Sequence, residues 1–67
     1  MWEYEIRIIY LEDPNDYEIA MEMDKFGAER WEIFSVNERI VEQWNTYGEP
    51  HNRVEYKLYM KRIIQEN

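Results

Sequence analysis

The chain has 67 residues, no cysteine and a formal net charge of −7 at pH 7. The lack of cysteine excludes disulfides and thiolate metal sites, and the acidic balance opposes general binding to nucleic acid or anionic membrane, which depends on Lys and Arg contacts with phosphates. A chain this short makes one domain, residues 1–67. The core of such a domain is small and often needs an additional stabilising element, such as a second subunit.

The first segment, Trp2 to Tyr10, alternates between apolar and polar positions and predicts a strand. Its even positions, from Trp2 to Tyr10, share one face, and the odd positions, from Glu3 to Ile9, share the other. The acidic, alternating start is unlike a signal peptide, and no apolar run reaches the roughly 18 residues of a membrane span. Together with the lack of cysteine, these features predict a cytoplasmic protein.

A helix follows, from Asp13 to about Phe26. Asp13 is a suitable N-cap, Pro14 suits the first helical position, and Gly27 suits the left-handed residue that ends a helix. One stripe of the helix is apolar and faces the predicted core: Ile19, Ala20, Met23 and Phe26.

Alternation returns from Trp31 to Trp44 and again from Val54 to Met60, with turn residues between Asn45 and Asn52. The tail, residues 63–67, either extends the last strand or frays. The predicted fold is α+β with element order β-α-β-β, one helix on a three-stranded sheet and a long second hairpin.

A right-handed crossover makes the first two strands parallel, so that the last strand fits between them, in the order 1-3-2 and antiparallel to both. The charges favour this order, because Glu3 and Glu5 then face Lys57 and Lys61 across neighbouring strands. The helix is expected to cover the apolar face made by Tyr4, Ile6, Ile8, Ile33, Tyr56 and Leu58.

Catalytic chemistry has little support in the sequence. There is one Ser, one Thr and one His, and the spacing of Ser35, Thr46 and His51 suggests no nucleophile with its base. A calcium loop starting at Asp13 lacks its glycine, and one His without Cys makes a poor zinc site. We therefore expect no enzyme, no metal and no cofactor. The contrary hypothesis, a small enzyme or ligand binder, requires a deep pocket lined by Glu32 and His51.

Some apolar side chains are predicted on the sheet face without the helix: Ile9, Phe34, Val36 and Tyr59. A contiguous patch of this kind indicates an interface. Three other interpretations stay open: the second strand is phased the other way, the long hairpin curls back over the face, or the patch is ordinary surface.

Three segments together resemble a known pattern: Trp2-Glu3-Tyr4-Glu5, the corner from Phe26 to Val36, and the closing Tyr59-Met60-Lys61-Arg62. The set is similar to the short bacterial and phage proteins grouped as domain-of-unknown-function family 4177, which pass from a helix through a Gly-Ala-Glu-Gly-Trp-Glu corner into a strand. The resemblance implies the β-α-β-β fold and no activity. Arg30 stands at the family's second glycine, so if that glycine takes a positive φ, either Arg30 is strained or the turn differs here.

The first functional hypothesis is a non-enzymatic protein-interaction module that forms a homo-oligomer through the open sheet face. The alternative is an acidic inhibitor of phage type that occupies a basic nucleic-acid-binding groove of a host protein. Its acidic face is Asp16, Glu18, Glu22, Asp24 and Glu29. The simpler interpretation of these acids is that they keep the domain soluble. Neither hypothesis involves direct binding to nucleic acid or membrane.

Overall fold

A computed structural model describes residues 1–64 as one three-stranded sheet with one helix. The elements are β1 (Trp2–Glu12), α1 (Asp16–Ala28), β2 (Glu32–Thr46) and β3 (Glu49–Ile63). β3 lies in the middle and pairs antiparallel with both neighbours, so the predicted β-α-β-β order and the 1-3-2 sheet are confirmed. The prediction for the tail reaches residues 65–67, which lie outside the described residues.

The face of β1 that meets the helix is the opposite of the predicted one. Ile9 and Leu11 pack against the core, whereas Tyr4 is 68% exposed and the other even positions are exposed too. The reason is the pairing with β3: Ile9 lies opposite Tyr56 and Leu11 opposite Val54, and opposed residues in a sheet share a face. β1 is apolar at its even positions from Trp2 to Tyr10, so its own alternation favours the face that the structure leaves uncovered.

The register of β1 against β3 also rules out the predicted ion pairs of Glu3 and Glu5 with Lys57 and Lys61. Lys57 and Lys61 lie opposite Ile8 and Tyr4, while Glu3 forms an ion pair with Arg62. The predicted central position of β3 is therefore correct, although it rests on charge pairs that the sheet does not form.

The core is small and centred on β3. Its buried members are Trp31, Val54, Tyr56, Leu58 and Met60, of which Leu58 and Met60 are fully enclosed. The predicted helical stripe is largely confirmed, since Ile19, Met23 and Phe26 pack against this core, but no residue of α1 is fully buried. The radius of gyration is 15.0 Å, against about 11 Å for a compact domain of this length. Much of the apolar surface therefore stays outside.

The helix starts two residues later than predicted. Asn15, not Asp13, is the N-cap, and its Oδ1 accepts a hydrogen bond from the Glu18 amide at 2.8 Å. An N-cap side chain of this kind satisfies one of the free amides of the first turn. The Asp13 side chain does not cap the helix and contacts the second hairpin instead.

The helix ends in a Schellman motif whose left-handed residue is Arg30, not Gly27. The Trp31 amide donates to the Phe26 carbonyl at 3.1 Å and the Arg30 amide to the Gly27 carbonyl at 2.9 Å. Arg30 has a φ of 70°, while Gly27 lies inside α1. The corner between helix and strand is therefore a turn in which Arg30 adopts an unfavourable positive φ, and this strain is one of the two outcomes that the resemblance implies.

Replacing Arg30 with glycine should stabilise the fold by about 1 kcal/mol, because glycine adopts positive φ without the steric cost that an L side chain meets. Thermal unfolding should show Tm higher by about 4–8 °C. The opposite control is Gly48→Ala at φ 80°, which should lower Tm. An unchanged Tm in Arg30→Gly would show that the corner stores no strain.

The second hairpin is longer and tighter than the predicted loop. Its turn is only Tyr47-Gly48, with φ of 52° and 80°, the two positive values of a type I′ turn. Residues 43–46 and 49–52 continue as a two-stranded arm beyond the end of β1. Pro50 fits there because β3 is an edge strand at that point. The arm runs onward along the 57 Å axis of the molecule and does not curl over the sheet.

Candidate functional site: the open sheet face

We call the sheet surface that faces away from α1 the open face. Register assigns to it the even positions of β1, the odd positions of β3 and the opposing positions of β2. Its apolar and aromatic members, most of them exposed, are Trp2, Tyr4, Ile6, Ile8, Tyr10, Phe34, Trp44, Tyr59 and Ile63. They form an unbroken stripe along β1 with additions from β2 and β3.

Two of the four predicted interface residues lie on the open face, and two do not. Phe34 and Tyr59 belong to it, while Ile9 lies opposite Tyr56 on the helix side. Val36 lies opposite Leu58, also on the helix side, because a β-bulge between Ile33 and Ser35 shifts the alternation of β2 by one residue. The hypothesis that β2 is phased the other way is thus correct from the bulge onward, where Ser35 lies on the open face and Val36 on the helix side, but not for Phe34.

At one end of the open face, aromatic rings surround a lysine. The rings of Tyr4 and Phe34 meet edge to face, with centroids 6.3 Å apart. Lys61 Nζ lies 4.5 Å from the centroid of the Trp2 ring and 5.9 Å from that of Phe34. Lys57 stands over Tyr59 in the same manner, at 5.7 Å. This half of the face is aromatic and positively charged.

A shallow groove of about 350 Å³ opens beside these rings, lined by Trp2, Arg30, Glu32, Lys61, Arg62 and Ile63. It holds Glu32, one of the two residues that the ligand-binding hypothesis requires. His51 lies on the arm, at the opposite end of β3. The structure therefore separates the two residues and does not form the predicted pocket.

The other half of the face carries most of the acids. Arg39 Nη2 lies 3.1 Å from Glu55 Oε2, and the Tyr10 hydroxyl donates to the same carboxylate at 3.4 Å. The hydrogen bonds from Arg39 lower the pKa of Glu55, and the carboxylate in turn raises the pKa of Arg39. One row further, Arg53 stands between two more acids, Glu12 at 3.4 Å and Glu42 at 3.7 Å.

A second feature, which sequence reasoning missed, ties the β1–α1 connection to the arm. Asp13 accepts a hydrogen bond from the Asn52 amide at 2.8 Å and lies 2.7 Å from His51 Nδ1, while its own amide donates to the Asn52 carbonyl. The His51 ring stacks on Trp44, with centroids 5.7 Å apart. His51 is thus half-buried and structural, not the solvated loop residue that its sequence context indicates. These contacts fix the root of the arm.

The Asn52 amide, followed by the contact with His51, holds the pKa of Asp13 below its ordinary 3.8. A carboxyl with a lowered folded-state pKa stabilises the fold above its unfolded pKa, and the contribution is lost as the pH falls through the folded value. Asp13→Asn should therefore lower Tm at pH 7 and leave it unchanged well below pH 3.8. Asn also tolerates the φ of 42° found here. Thermal melts across this range check the difference, with Asp24→Asn on α1 as the charge-matched control. A constant difference at every pH would contradict the linkage.

The predicted acidic face lies along α1 and its C-cap, on the other side of the sheet. Lys25 pairs with Glu22 at 2.8 Å, and Glu18 contacts the Asn15 cap. A cleft near the start of α1 is lined by Asp13, Asp16, Glu38 and the buried Tyr56. Burial raises the pKa of the Tyr56 hydroxyl. Among residues 1–64, no three His, Cys, Asp or Glu side chains are placed to hold a metal ion.

Within the described part of the chain, no helix combines the length and the apolar character needed to cross a membrane. No protein family, curated protein or solved structure matches the chain. The resemblance to domain-of-unknown-function family 4177 therefore stays a prediction, and the open face is the feature from which a function can be inferred.

Proposed function

We propose that this protein is a non-enzymatic interaction module that self-associates through its open face. One observation carries the proposal: an unbroken stripe of large apolar side chains runs the length of β1 on the uncovered side of the sheet. Tyr4, Ile6, Ile8 and Tyr10 are each about half exposed or more. Contiguous apolar surface of this kind is typical of interfaces and unusual on isolated small proteins.

The small core supports the same proposal. A sheet normally buries both of its apolar faces against another layer, and here α1 covers one face alone. The side left open holds larger apolar residues on β1 than the covered side, where Glu3, Glu5 and Arg7 occupy three odd positions. A second copy would cover the open face and provide the additional stabilisation that a domain of this size often obtains by oligomerisation.

Single-stranded nucleic acid is the competing occupant, because Lys57 and Lys61 stand among aromatic rings as in a base-stacking platform. Two observations favour protein. Among the described residues, the open face also carries five carboxylates, Glu12, Glu32, Glu42, Glu49 and Glu55, and the chain as a whole has a net charge of −7. Both weaken contacts with phosphates.

The acidic face of α1 supports a second candidate, the inhibitor that occupies a basic groove. Its five carboxylates lie on or next to one helix that also carries Lys25, and that helix packs on the side of the sheet away from the open face. Such binding would be fast and strongly dependent on salt. Either proposal includes a cytoplasmic location, because a chain without cysteine needs no oxidising compartment for disulfide formation.

Sedimentation velocity between about 10 and 500 µM tests the first proposal, since an interface at the lower end of stable sizes gives micromolar affinity. We expect a species of twice the 8.5 kDa chain mass that persists in high salt. A monomer throughout this range would overturn the proposal. Adding a labelled single-stranded oligonucleotide should produce no faster-sedimenting species, and a complex would assign the open face to nucleic acid.

A further inference from the structure

The open face is complementary to itself in one particular orientation. Resting on the proposed self-association, we infer that two copies stack open face to open face about a two-fold axis that crosses the strands between Ile6 and Ile8. In this arrangement each strand lies over its own counterpart and runs in the opposite direction. The rows of residues across the sheet support this orientation.

The register places three side chains in each row of the open face, one from each strand. Written as β1, β3, β2, successive rows are Tyr4-Lys61-Glu32, Ile6-Tyr59-Ser35, Ile8-Lys57-Asn37, Tyr10-Glu55-Arg39 and Glu12-Arg53-Glu42. Rows are about 7 Å apart, because two residues of a strand separate them. Phe34 lies beside the first two rows, in the bulge.

The two-fold axis exchanges the Tyr4 row with the Tyr10 row. Lys61 of one copy then lies over Glu55 of the second copy, and Glu32 lies over Arg39 of the second copy. By symmetry each pair occurs twice, so four opposite-charge contacts surround the centre. Each pair joins the positively charged end of one face to the acidic end of the other.

The same axis exchanges the Ile6 row with the Ile8 row at the centre. Ile6 packs on Ile8 of the second copy, and Tyr59 meets Lys57, extending the contact that these two residues already make within one chain. Tyr4 stacks against Tyr10 at the edge. The central rows thus combine an apolar pair on β1 with an aromatic–lysine contact on β3, and the charge pairs lie in the rows on either side.

The alternative face-to-face dimer has its axis along the strands and is disfavoured by charge. That axis leaves every row on its own counterpart, so Lys61 faces Lys61 and Glu55 faces Glu55. Like charges opposed at close range strongly disfavour an association. Bulges at Ile33/Ser35 and Ile40/Glu42 interrupt the β2 edge and oppose edge-to-edge pairing there.

The open face is large enough for such a dimer. From Trp2 to Glu12 it is about 34 Å long, and three strands are about 14 Å wide. The area of this rectangle is about 480 Å² per copy, or about 1,000 Å² for both copies, which reaches the lower limit for a specific interface. Protruding side chains make the accessible surface larger than this flat area.

A mixing experiment tests the orientation. Glu32→Lys alone places the new lysine over Arg39 of the second copy, and Arg39→Glu alone places the new glutamate over Glu32 of the second copy. Each variant should therefore dimerise about tenfold more weakly than the wild-type chain. In an equimolar mixture the two variants complement each other at both contacts, and sedimentation should show a heterodimer of wild-type affinity.

Matched controls carry the same charge changes on α1. Glu18→Lys adds the same charge as Glu32→Lys, and Lys25→Glu breaks one intrachain ion pair, as Arg39→Glu does. Both should dimerise like the wild-type chain. Circular dichroism of each variant confirms that it is folded. A wild-type dimer without rescue in the mixture would overturn the inferred orientation and leave self-association standing, whereas a wild-type monomer would overturn both.

A second measurement needs no variant. Carbodiimide joins a lysine to a carboxylate in direct contact, and Lys61 and Glu55 of one chain are about 20 Å apart along the same strand. A Lys61–Glu55 crosslink found by mass spectrometry in the wild-type protein is therefore intermolecular. We expect this crosslink in the dimer band, and a dimer band crosslinked through other residues without it would contradict the orientation.

Discussion

Ile8→Glu is expected to convert the protein from a dimer into a folded monomer. Ile8 is half exposed on the open face, so a carboxylate is solvated in the single chain and lies next to Lys57. In the proposed dimer the same carboxylate faces Ile6 of the second copy, and the new carboxylate and Lys57 both lose their water, a desolvation cost that disfavours association. Sedimentation should show a monomer at every concentration at which the wild-type chain dimerises, with an unchanged far-ultraviolet circular dichroism spectrum.

The adjacent residue provides the matched control. Ile9→Glu makes the same substitution one position along the chain, but on the helix side, where Ile9 packs against the core. This variant should lose several kcal/mol of stability and unfold, because its charge is half-buried against the apolar core. If Ile9→Glu folds and Ile8→Glu does not, β1 faces the other way and its even positions do not form an open face.

Leu58→Ala is expected to destabilise the chain by about 3–4 kcal/mol, the usual cost of a cavity at a fully buried leucine. Leu58 is completely enclosed at the centre of β3 and belongs to the small buried core of residues 1–64. A domain of this length has a total stability of roughly 3–10 kcal/mol, so this one cavity removes a third of it or more. The variant should therefore unfold at a Tm at least about 12 °C below that of the wild-type chain.

Urea denaturation in the Ile8→Glu background measures this effect without a contribution from association. Tyr59→Val in the same background is the control. Tyr59 neighbours Leu58 but lies on the open face, so truncating it should cost less than about 1 kcal/mol in a monomer. Similar losses for the two variants would show that the core is not confined to the helix side.

Local signals predict the elements well. Alternation identifies all three strands, and apolar spacing identifies the helix with Ile19, Met23 and Phe26 on its inner side. These patterns depend on the period of each element, which neighbouring residues express directly. The open face is partly predicted too, since Phe34 and Tyr59 lie on it as expected.

The two errors at the site have distinct physical causes. Ile9 is predicted on the wrong side because β1 is apolar on one face and mixed on the other, and only its register with β3 decides which face α1 covers. Val36 is misplaced because a bulge adds one residue to β2 and shifts its alternation, whereas the prediction assumes an uninterrupted period of two. The Asp13 contact with the arm joins residues 38 positions apart along the chain, so no local pattern indicates it.

The sequence by itself determined the number, type and order of the elements and the acidic character of the chain, because period, turn residues and charge are local properties. It also determined that there is more apolar side chain than one helix can cover. The tertiary structure alone decided where that surplus lies. Pairing with β3 selects one of two opposite faces for every residue of β1 at once, since a shift of one residue in register exchanges the two sides of a strand. The open face, and with it the rows on which the proposed dimer depends, follows from that single choice.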